Sequence, residues 1–263
     1  MLKALVFDVD GTLADTEEIH RAAYNAAFVA HGMSWYWTHQ RYAALLAISG
    51  GQERLRYAIR SQRMSHAERR RLLNLVPALH GTKTRFYREF VAAGRVHLRP
   101  GIARLIGEAR AAGVELALVS STTPANIDAL LNANLGHDAR GWFRVVTGGA
   151  EVAQRKPAPD IFKRALADLD QPAAHCVAFE DTAAGVAAAA AAGLFTVGLP
   201  NAWSAGHSLR GAQLVLGHLG EPEQPLAGAE AARVGGDYLQ LLALARLQQA
   251  WLKRGLGGGS LAH

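Results

Sequence analysis

Three features of this 263-residue chain predict an α/β fold in which a parallel sheet, covered by helices on both faces, is interrupted by an all-helical insert. Strand-like and helix-like patterns alternate over about 120 residues after Pro100-Gly101, which is the mark of βαβ units. A short apolar run, Leu2–Asp8, has the composition of a buried strand. Between the two, from Asp15 to about Gly94, strand-like runs vanish and helical periodicity takes over.

Each element follows from local pattern. In EEIHRAAYNAAFVAHG, Ile19, Ala22, Ala23, Ala26 and Ala27 share one helix face, and Gly32 ends it. Further helical stretches are expected at about 39–48, 52–63, 66–76 and 80–93. Pro100-Gly101 marks a boundary. After it, Ile102, Leu105, Ile106 and Ala109 define a helix ending at Gly113, and VELALVS a strand. TTPANIDALL is a helix opened by Thr and Pro, RVVTGG a strand, PAPDIFKRALADL a helix and CVAFED a strand. AAGVAAAAAAG is a helix, FTVGLP a strand, and LVLG a candidate for one more. DYLQLLALARLQQAWL reads as an apolar helix that packs on the core or on a second subunit, and KRGLGGGSLAH as a flexible tail. The expected division is a core of 1–15 and 99–220, an insert of 16–98, a C-terminal extension of 221–253 and a tail of 254–263.

Half of the residues are hydrophobic and 19% are charged, which excludes a disordered chain. No apolar run approaches the roughly 20 residues of a membrane helix. The N-terminus has one lysine and a short apolar run, too little for a signal peptide, so a cytoplasmic location is expected. Cys176 is the only cysteine, which excludes an intramolecular disulfide and a thiolate metal cluster; its apolar setting predicts a buried structural thiol. Residues 16–98 carry thirteen Arg/Lys against five Glu, a net +8, whereas the whole chain is +6. A basic insert in a slightly acidic remainder favours an anionic ligand, either a phosphorylated metabolite or nucleic acid. Trp35, Tyr36 and Trp37 read as core of the insert, and His31, His39, His66, His137, His175, His207 and His218 show no metal-ligand spacing.

Ligands of such a sheet bind beyond the carboxyl ends of its strands. Those ends carry Asp8 and Asp10, Ser120 and Ser121, the RKP at 155–157, and Glu180 and Asp181. Carboxylates, hydroxyls and one ammonium converging there suit Mg²⁺ and phosphate. Asp8 and Asp10, at i and i+2, leave the strand on the same side. The first can attack phosphorus while the second serves the leaving oxygen as general acid and base. Gly11 lets the backbone turn away beside the ligand. Glu17 and His20, at i and i+3, share a helix face near this loop and suit substrate hydroxyls. Gly50 and Gly51 can offer amides to a second phosphate, with Arg54 and Lys83 as charged partners.

DVDGT at 8–12, VSS at 119–121, KPAPD at 156–160 and ED at 180–181, in this order, resemble the four motifs of the haloacid dehalogenase (HAD) superfamily. The insert resembles that superfamily's C1-type cap on its Rossmann-like core. The resemblance implies Asp8 as nucleophile and Mg²⁺ ligand, and Asp10 as general acid/base with its backbone carbonyl on the metal. It further implies Ser120 and the Ser121 amide as phosphoryl holders, Lys156 as the residue that neutralises the phosphoryl and orients Asp8, and Asp181 and Glu180 as completing the metal site. An aspartate at position 10 favours phosphate chemistry over dehalogenation.

ADTEEIHRAAYNAAFVAHG, WYW at 35–37, GGQER at 50–54 and HGTKTRF at 80–86 are similar to the CbbY-type phosphatases of Rubisco operons. That resemblance implies a small-molecule sugar bisphosphate, xylulose-1,5-bisphosphate, as substrate. It also implies no nucleic-acid or membrane partner and a monomer or weak homodimer. A β-phosphoglucomutase-like transferase, a phosphoglycolate or other monophosphate phosphatase, and an anion- or nucleic-acid-binding protein of the same fold remain alternatives.

Overall fold

The computed structural model describes residues 1–149 and 151–257. β1 (Ala4–Asp8) is buried along its whole length and lies in the interior of the sheet. Leu5 and Phe7 enter one apolar cluster, Ala4 and Val6 the cluster on the opposite face, as the two-residue period of a strand requires. β1 pairs in parallel with β2 (Glu115–Ser120), setting Asp8 opposite Val119. It pairs also with β4 (Cys176–Glu180), setting Phe7 opposite Phe179, and those two rings stack at 4.4 Å. With β3 (Val145–Gly148), β5 (Phe195–Gly198) and β6 (Leu214–Val215) the order is β3-β2-β1-β4-β5-β6. The expected parallel sheet is present, and LVLG does supply a sixth strand, two residues long. Strand order reverses between β1 and β4, which opens a crevice above Asp8 and Glu180.

Between β1 and β2 lie α1 (Glu17–Ala30), α2 (His39–Leu45), α3 (Gly51–Arg60) and α4 (His66–Ala92). They enclose their own apolar cluster, in which Tyr24, Phe28, Trp37, Tyr42, Leu55 and Ile59 are buried. Trp37 and the partly buried Trp35 belong to it, but Tyr36 is 65% exposed and carries the Arg21 guanidinium instead. The separate helices expected at 66–76 and 80–93 are one 27-residue helix with Pro77 inside it. Pro77 is exposed, and Leu72, Val76, Leu79, Tyr87 and Val91 are buried on either side of it, so packing outweighs the hydrogen bond that proline removes. The two chain crossings run side by side: Ala14 bridges Leu98, and Arg99 N–H donates to Leu13 O at 2.8 Å. The buried Arg99 guanidinium donates to the carbonyls of Gly11 (2.7 Å), Leu199 (2.6 Å), Pro200 (2.8 Å) and Gly217 (2.6 Å), fixing the second crossing to the turn after β1 and the edge of the sheet.

α5 (Ile102–Ala111) and α6 (Pro124–Leu135) cover one face of the sheet, α7 (Asp160–Leu169) and α8 (Ala183–Ala191) the other. A short helix absent from the sequence reading, α9 (Gly228–Val234), precedes α10 (Leu241–Gly257). α10 begins four residues later than DYLQ suggested and continues into the stretch read as tail, of which 258–263 lie outside the described residues. It packs on the core of its own chain. Leu244 is buried, Trp251 meets Phe195 edge-on, and Gln248 donates to Cys176 O at 2.9 Å. Cys176 is buried, as expected, and burial pushes its thiol up to about 12. Among the described residues no helix is long and apolar enough to cross a membrane.

Candidate active site

A cavity of about 430 Å³ opens between the strand ends and the insert. Its lining includes the predicted residues Asp8, Asp10, Glu17, His20, Gly50, Gly51, Arg54, Lys83, Ser120, Ser121, Lys156 and Asp181. Glu180 stands just behind it, buried against Lys156. Every residue singled out from the sequence therefore falls at one place, although more than 170 positions separate the first from the last.

The floor is built by Asp8, Glu180 and Asp181. One carboxylate oxygen from each lies within 4.8 Å of the others, and all three residues are buried. Lys156 Nζ donates to Asp8 Oδ1 at 2.6 Å and also to Glu180 Oε1. Burial pushes the Asp8 carboxyl well above its usual range; Lys156 pulls against it, while Glu180 and Asp181 add to it. Burial, then the Glu180 charge, pushes Asp181 up to about 8. Lys156 is raised in turn, because Asp8 and Glu180 outweigh the cost of its own burial. Three buried carboxylates thus share one ammonium, an imbalance that a divalent cation on hard oxygen ligands would relieve.

Close backbone approach makes this cluster possible. Gly11 has φ 88°, and a Cβ there would run into the Asp181 carboxylate and the Asn201 amide. A Cβ on Gly185, in the first turn of α8, would fall inside the Glu180 carboxylate. Asn201 Nδ2 donates to Asp181 Oδ2 at 2.8 Å and Thr12 Oγ1 to Asp181 Oδ1 at 3.2 Å, which fixes that side chain.

The wall contributed by the insert reaches down onto Asp10. Thr16 Oγ1 donates to Asp10 Oδ1 at 2.7 Å, and His20 Nε2 meets the same oxygen at 2.9 Å. Lys83 Nζ lies 2.6 Å from His20 Nδ1. The Lys83 ammonium has no lone pair and can only donate, so Nδ1 accepts and the ring proton sits on Nε2, facing Asp10. Burial resists ionisation of Asp10, but the hydrogen bonds from His20 and Thr16, with the nearby Lys83 ammonium, hold its carboxyl well below the usual range. Lys83, read from the sequence as a partner of a distal phosphate, is bonded in this way to His20. Burial lowers it to about 8.

Higher in the wall, Tyr42 OH donates to Glu17 Oε2 at 2.8 Å and accepts from Arg54 Nη1 at 2.9 Å, while Arg54 Nε donates to Leu45 O at 3.1 Å. Gly50, with φ 90°, and Gly51 stand at the N-terminal end of α3 and line the cavity. The lining also contains His80, Asn126, Trp203 and His207, which the sequence reading did not select. Asn126 Oδ1 is buried without a hydrogen-bond partner among the described residues. His80 opens the HGTKTRF stretch but has no expected role there; Asn126, Trp203 and His207 stand in no motif and at no strand end, and only the fold brings them here. His39 and His207, read as incidental, are both close to the site: His207 lines the cavity and His39 stacks on Trp203.

The sequence profile of haloacid dehalogenase-like hydrolases matches residues 2–193. The chain belongs to that family. Within it, the chain is 48% identical to Protein CbbY (plasmid) of Cupriavidus necator over 225 residues, 86% of this chain and 89% of that one. It is 47% identical to Protein CbbY of Rhodobacter capsulatus over 78% and 88% of the two chains. Its structure resembles that of CbbY from Rhodobacter sphaeroides in complex with phosphate, with TM-score 0.77, 40% identity and 83% and 95% coverage. It resembles also an aspartate-to-asparagine variant of that protein in complex with xylulose-(1,5)bisphosphate, with TM-score 0.79, 37% identity and 93% and 99% coverage. This haloacid dehalogenase-like enzyme of the CbbY group is a phosphoric monoester hydrolase, with the α/β architecture read from its sequence.

Proposed function

We propose that the enzyme is a Mg²⁺-dependent phosphatase of a sugar bisphosphate, xylulose-1,5-bisphosphate, working through an aspartyl phosphate on Asp8. The observation that carries this reading is a cavity with two unlike ends. One is the strand-end cluster of Asp8, Lys156, Glu180 and Asp181; the other is a wall from the insert with Arg54 and the start of α3. That suits a substrate with phosphates at both ends, and the bisphosphate complex of a relative 37% identical over nearly the whole chain supports it.

Asp8, Asp181 and Glu180 would hold the cation, with the Asp10 carbonyl beside them. When bound, Mg²⁺ supplies charge to the phosphoryl oxygens and lowers the repulsion that Asp8 meets on approach. Lys156 holds Asp8 by one oxygen, so the other attacks phosphorus and the ester bond to the sugar breaks. Asp10, ionised in the free enzyme, must first take up a proton from solvent; it gives that proton to the departing oxygen and then takes one from the water that hydrolyses the aspartyl phosphate. Ser120 and the Ser121 amide hold the phosphoryl between the two steps. Glu17, fixed by Tyr42, and the free acceptor of Asn126 suit the sugar hydroxyls.

Phosphate release, with and without Mg²⁺, from xylulose-1,5-bisphosphate, ribulose-1,5-bisphosphate, β-glucose-1-phosphate and phosphoglycolate tests the proposal. Mg²⁺-dependent preference for the first is expected; preference for a monophosphate would discard the bisphosphate reading. Conversion of β-glucose-1-phosphate without net phosphate release would favour a mutase, the activity named for a Bacillus subtilis relative that is 29% identical over 82% of this chain. Arg54→Ala is expected to raise KM for the bisphosphate about tenfold or more, the worth of one charge-assisted contact, and KM for a monophosphate far less. Equal effects on both would remove Arg54 from the distal end. Gly185→Ala is expected to displace the Glu180 carboxylate and weaken Mg²⁺ binding by about 10- to 100-fold. This is read from the Mg²⁺ concentration that half-saturates both turnover and the rise in melting temperature.

A further inference from the structure

Trp203 lies outside every motif of the sequence, on the irregular segment that follows β5, yet it packs into the insert. Its ring stacks on His39, the first residue of α2, with centroids 3.8 Å apart and planes 21° from parallel. It meets Tyr42 edge-on at 5.6 Å and packs against the apolar cluster of the insert. The loop beneath it is tightly held. Asn201 Oδ1 accepts from Trp203 N–H at 2.8 Å and from Ser204 N–H at 3.1 Å, and Ser204 Oγ accepts from Asn201 N–H at 3.1 Å. Through its other amide atom Asn201 donates to Asp181 and to Gly11 O.

On the far side, Tyr42 is the residue that bonds both Glu17 and Arg54. One short relay therefore joins a carboxylate of the acidic cluster to the two substrate-facing groups of the insert: Asp181, Asn201, the Trp203 backbone and ring, Tyr42, then Glu17 and Arg54.

We propose that Trp203 is a positioning residue: from the loop that holds Asp181, its ring grips α2 and sets Glu17 and Arg54 over the strand ends, confining efficient turnover to substrates that reach the insert. This deepens the function proposed above and rests on the insert binding the far end of the substrate. A small phosphate ester that touches only Asp8, Ser120 and Lys156 gains little from the grip. A bisphosphate gains the whole of it.

The test compares wild type, Trp203→Ala, Trp203→Phe, His39→Ala and the double variant Trp203→Ala/His39→Ala, using xylulose-1,5-bisphosphate and p-nitrophenyl phosphate, with amide hydrogen exchange of α2 measured in parallel. In Trp203→Ala, kcat/KM for the bisphosphate is expected to fall about tenfold, chiefly through KM, the size that two aromatic contacts support. The loss for p-nitrophenyl phosphate is expected to be several times smaller. Trp203→Phe should recover most of the loss, His39→Ala should lose part of it, and the double variant should be little worse than Trp203→Ala alone. Amides of α2 should exchange faster in Trp203→Ala while those of β1 do not change. Equal losses on both esters, or unchanged exchange in α2, would overturn the proposal. If the wild type hydrolyses no bisphosphate, the function above falls, and exchange of α2 alone decides: faster in Trp203→Ala upholds the grip, unchanged overturns it.

Discussion

Asp8→Asn is expected to lose turnover by about 10⁴-fold or more, because it removes the nucleophile itself and leaves only the positioning and charge of the site. The fold should survive. Asn has the same shape, and its carbonyl oxygen can still accept from Lys156, which now donates to Asp8 Oδ1 at 2.6 Å. Burial and two neighbouring carboxylates already push Asp8 toward its neutral form, so a neutral residue at this position removes a repulsion as well as a charge. Without Mg²⁺, the melting temperature of the variant should therefore match or exceed that of the wild type. With Mg²⁺ the order should reverse, since the variant has lost a charged ligand. Acid-quenched wild type should carry labelled phosphate during turnover and the variant none. Near-normal turnover in Asp8→Asn would end the aspartyl-phosphate mechanism, whatever the melting curves show.

Most of the candidate floor is legible in the sequence for a specific reason. Asp8, Ser120, Glu180 and Asp181 all sit at or just beyond the point where an apolar pattern stops, and in a parallel sheet those points are neighbours; Lys156, expected at such an end, lies instead eight residues past β3, in the loop before α7. Recognising the strands is enough to bring those four positions together. The insert has no such rule. Glu17 and His20 were accessible because helical spacing puts them on one face, but nothing local says that His20 touches Asp10 or that Lys83, 63 residues later, touches His20. Trp203 and Asn201 stand in a loop without periodicity, and aromatic residues in such loops carry no signal of what they will meet. Gly185 lies inside an alanine-rich helix, where nothing local shows that its missing side chain is clearance for Glu180. Pro77 misled for the opposite reason. A strong local breaker was overridden by long-range burial along both halves of α4.

Lys83→Met is expected to stabilise the protein at neutral pH and to impair it as a catalyst. Lys83 is 4% exposed, and burial lowers its ammonium to about 8 from an ordinary 10.5, although Asp10 and Glu17 pull the other way. The folded state therefore binds this proton more weakly than the unfolded chain does. The sign follows: below about pH 8 the cost of burying the charge is fully present, and it is relieved as pH rises from about 8 toward 10.5. A gap of this size corresponds to about 3 kcal/mol. Methionine fills nearly the same volume without the charge, so the variant should be the more stable by up to that amount at pH 7, with the difference closing by pH 10. Urea denaturation of both proteins across that range measures it.

Catalysis should move the other way. Without Lys83, His20 Nδ1 loses its donor, the ring is free to adopt the other tautomer, and the hydrogen bond that His20 gives Asp10 weakens. That contact helps hold Asp10 ionised against the pull of its own burial, and the ionised form is the one that takes the proton from the hydrolytic water. Turnover in Lys83→Met should then fall about tenfold or more, a fraction of what removal of the acid/base group itself would cost. The pairing of the two effects is what discriminates. A lysine kept only for structure would not be so costly to bury, and a lysine kept only to bind the distal phosphate would change KM and leave kcat alone. If Lys83→Met gains stability and keeps its kcat, the chain from Lys83 through His20 to Asp10 is a packing arrangement without a part in proton transfer. If it loses both stability and kcat, the ammonium contributes more through its bond to His20 than its burial costs.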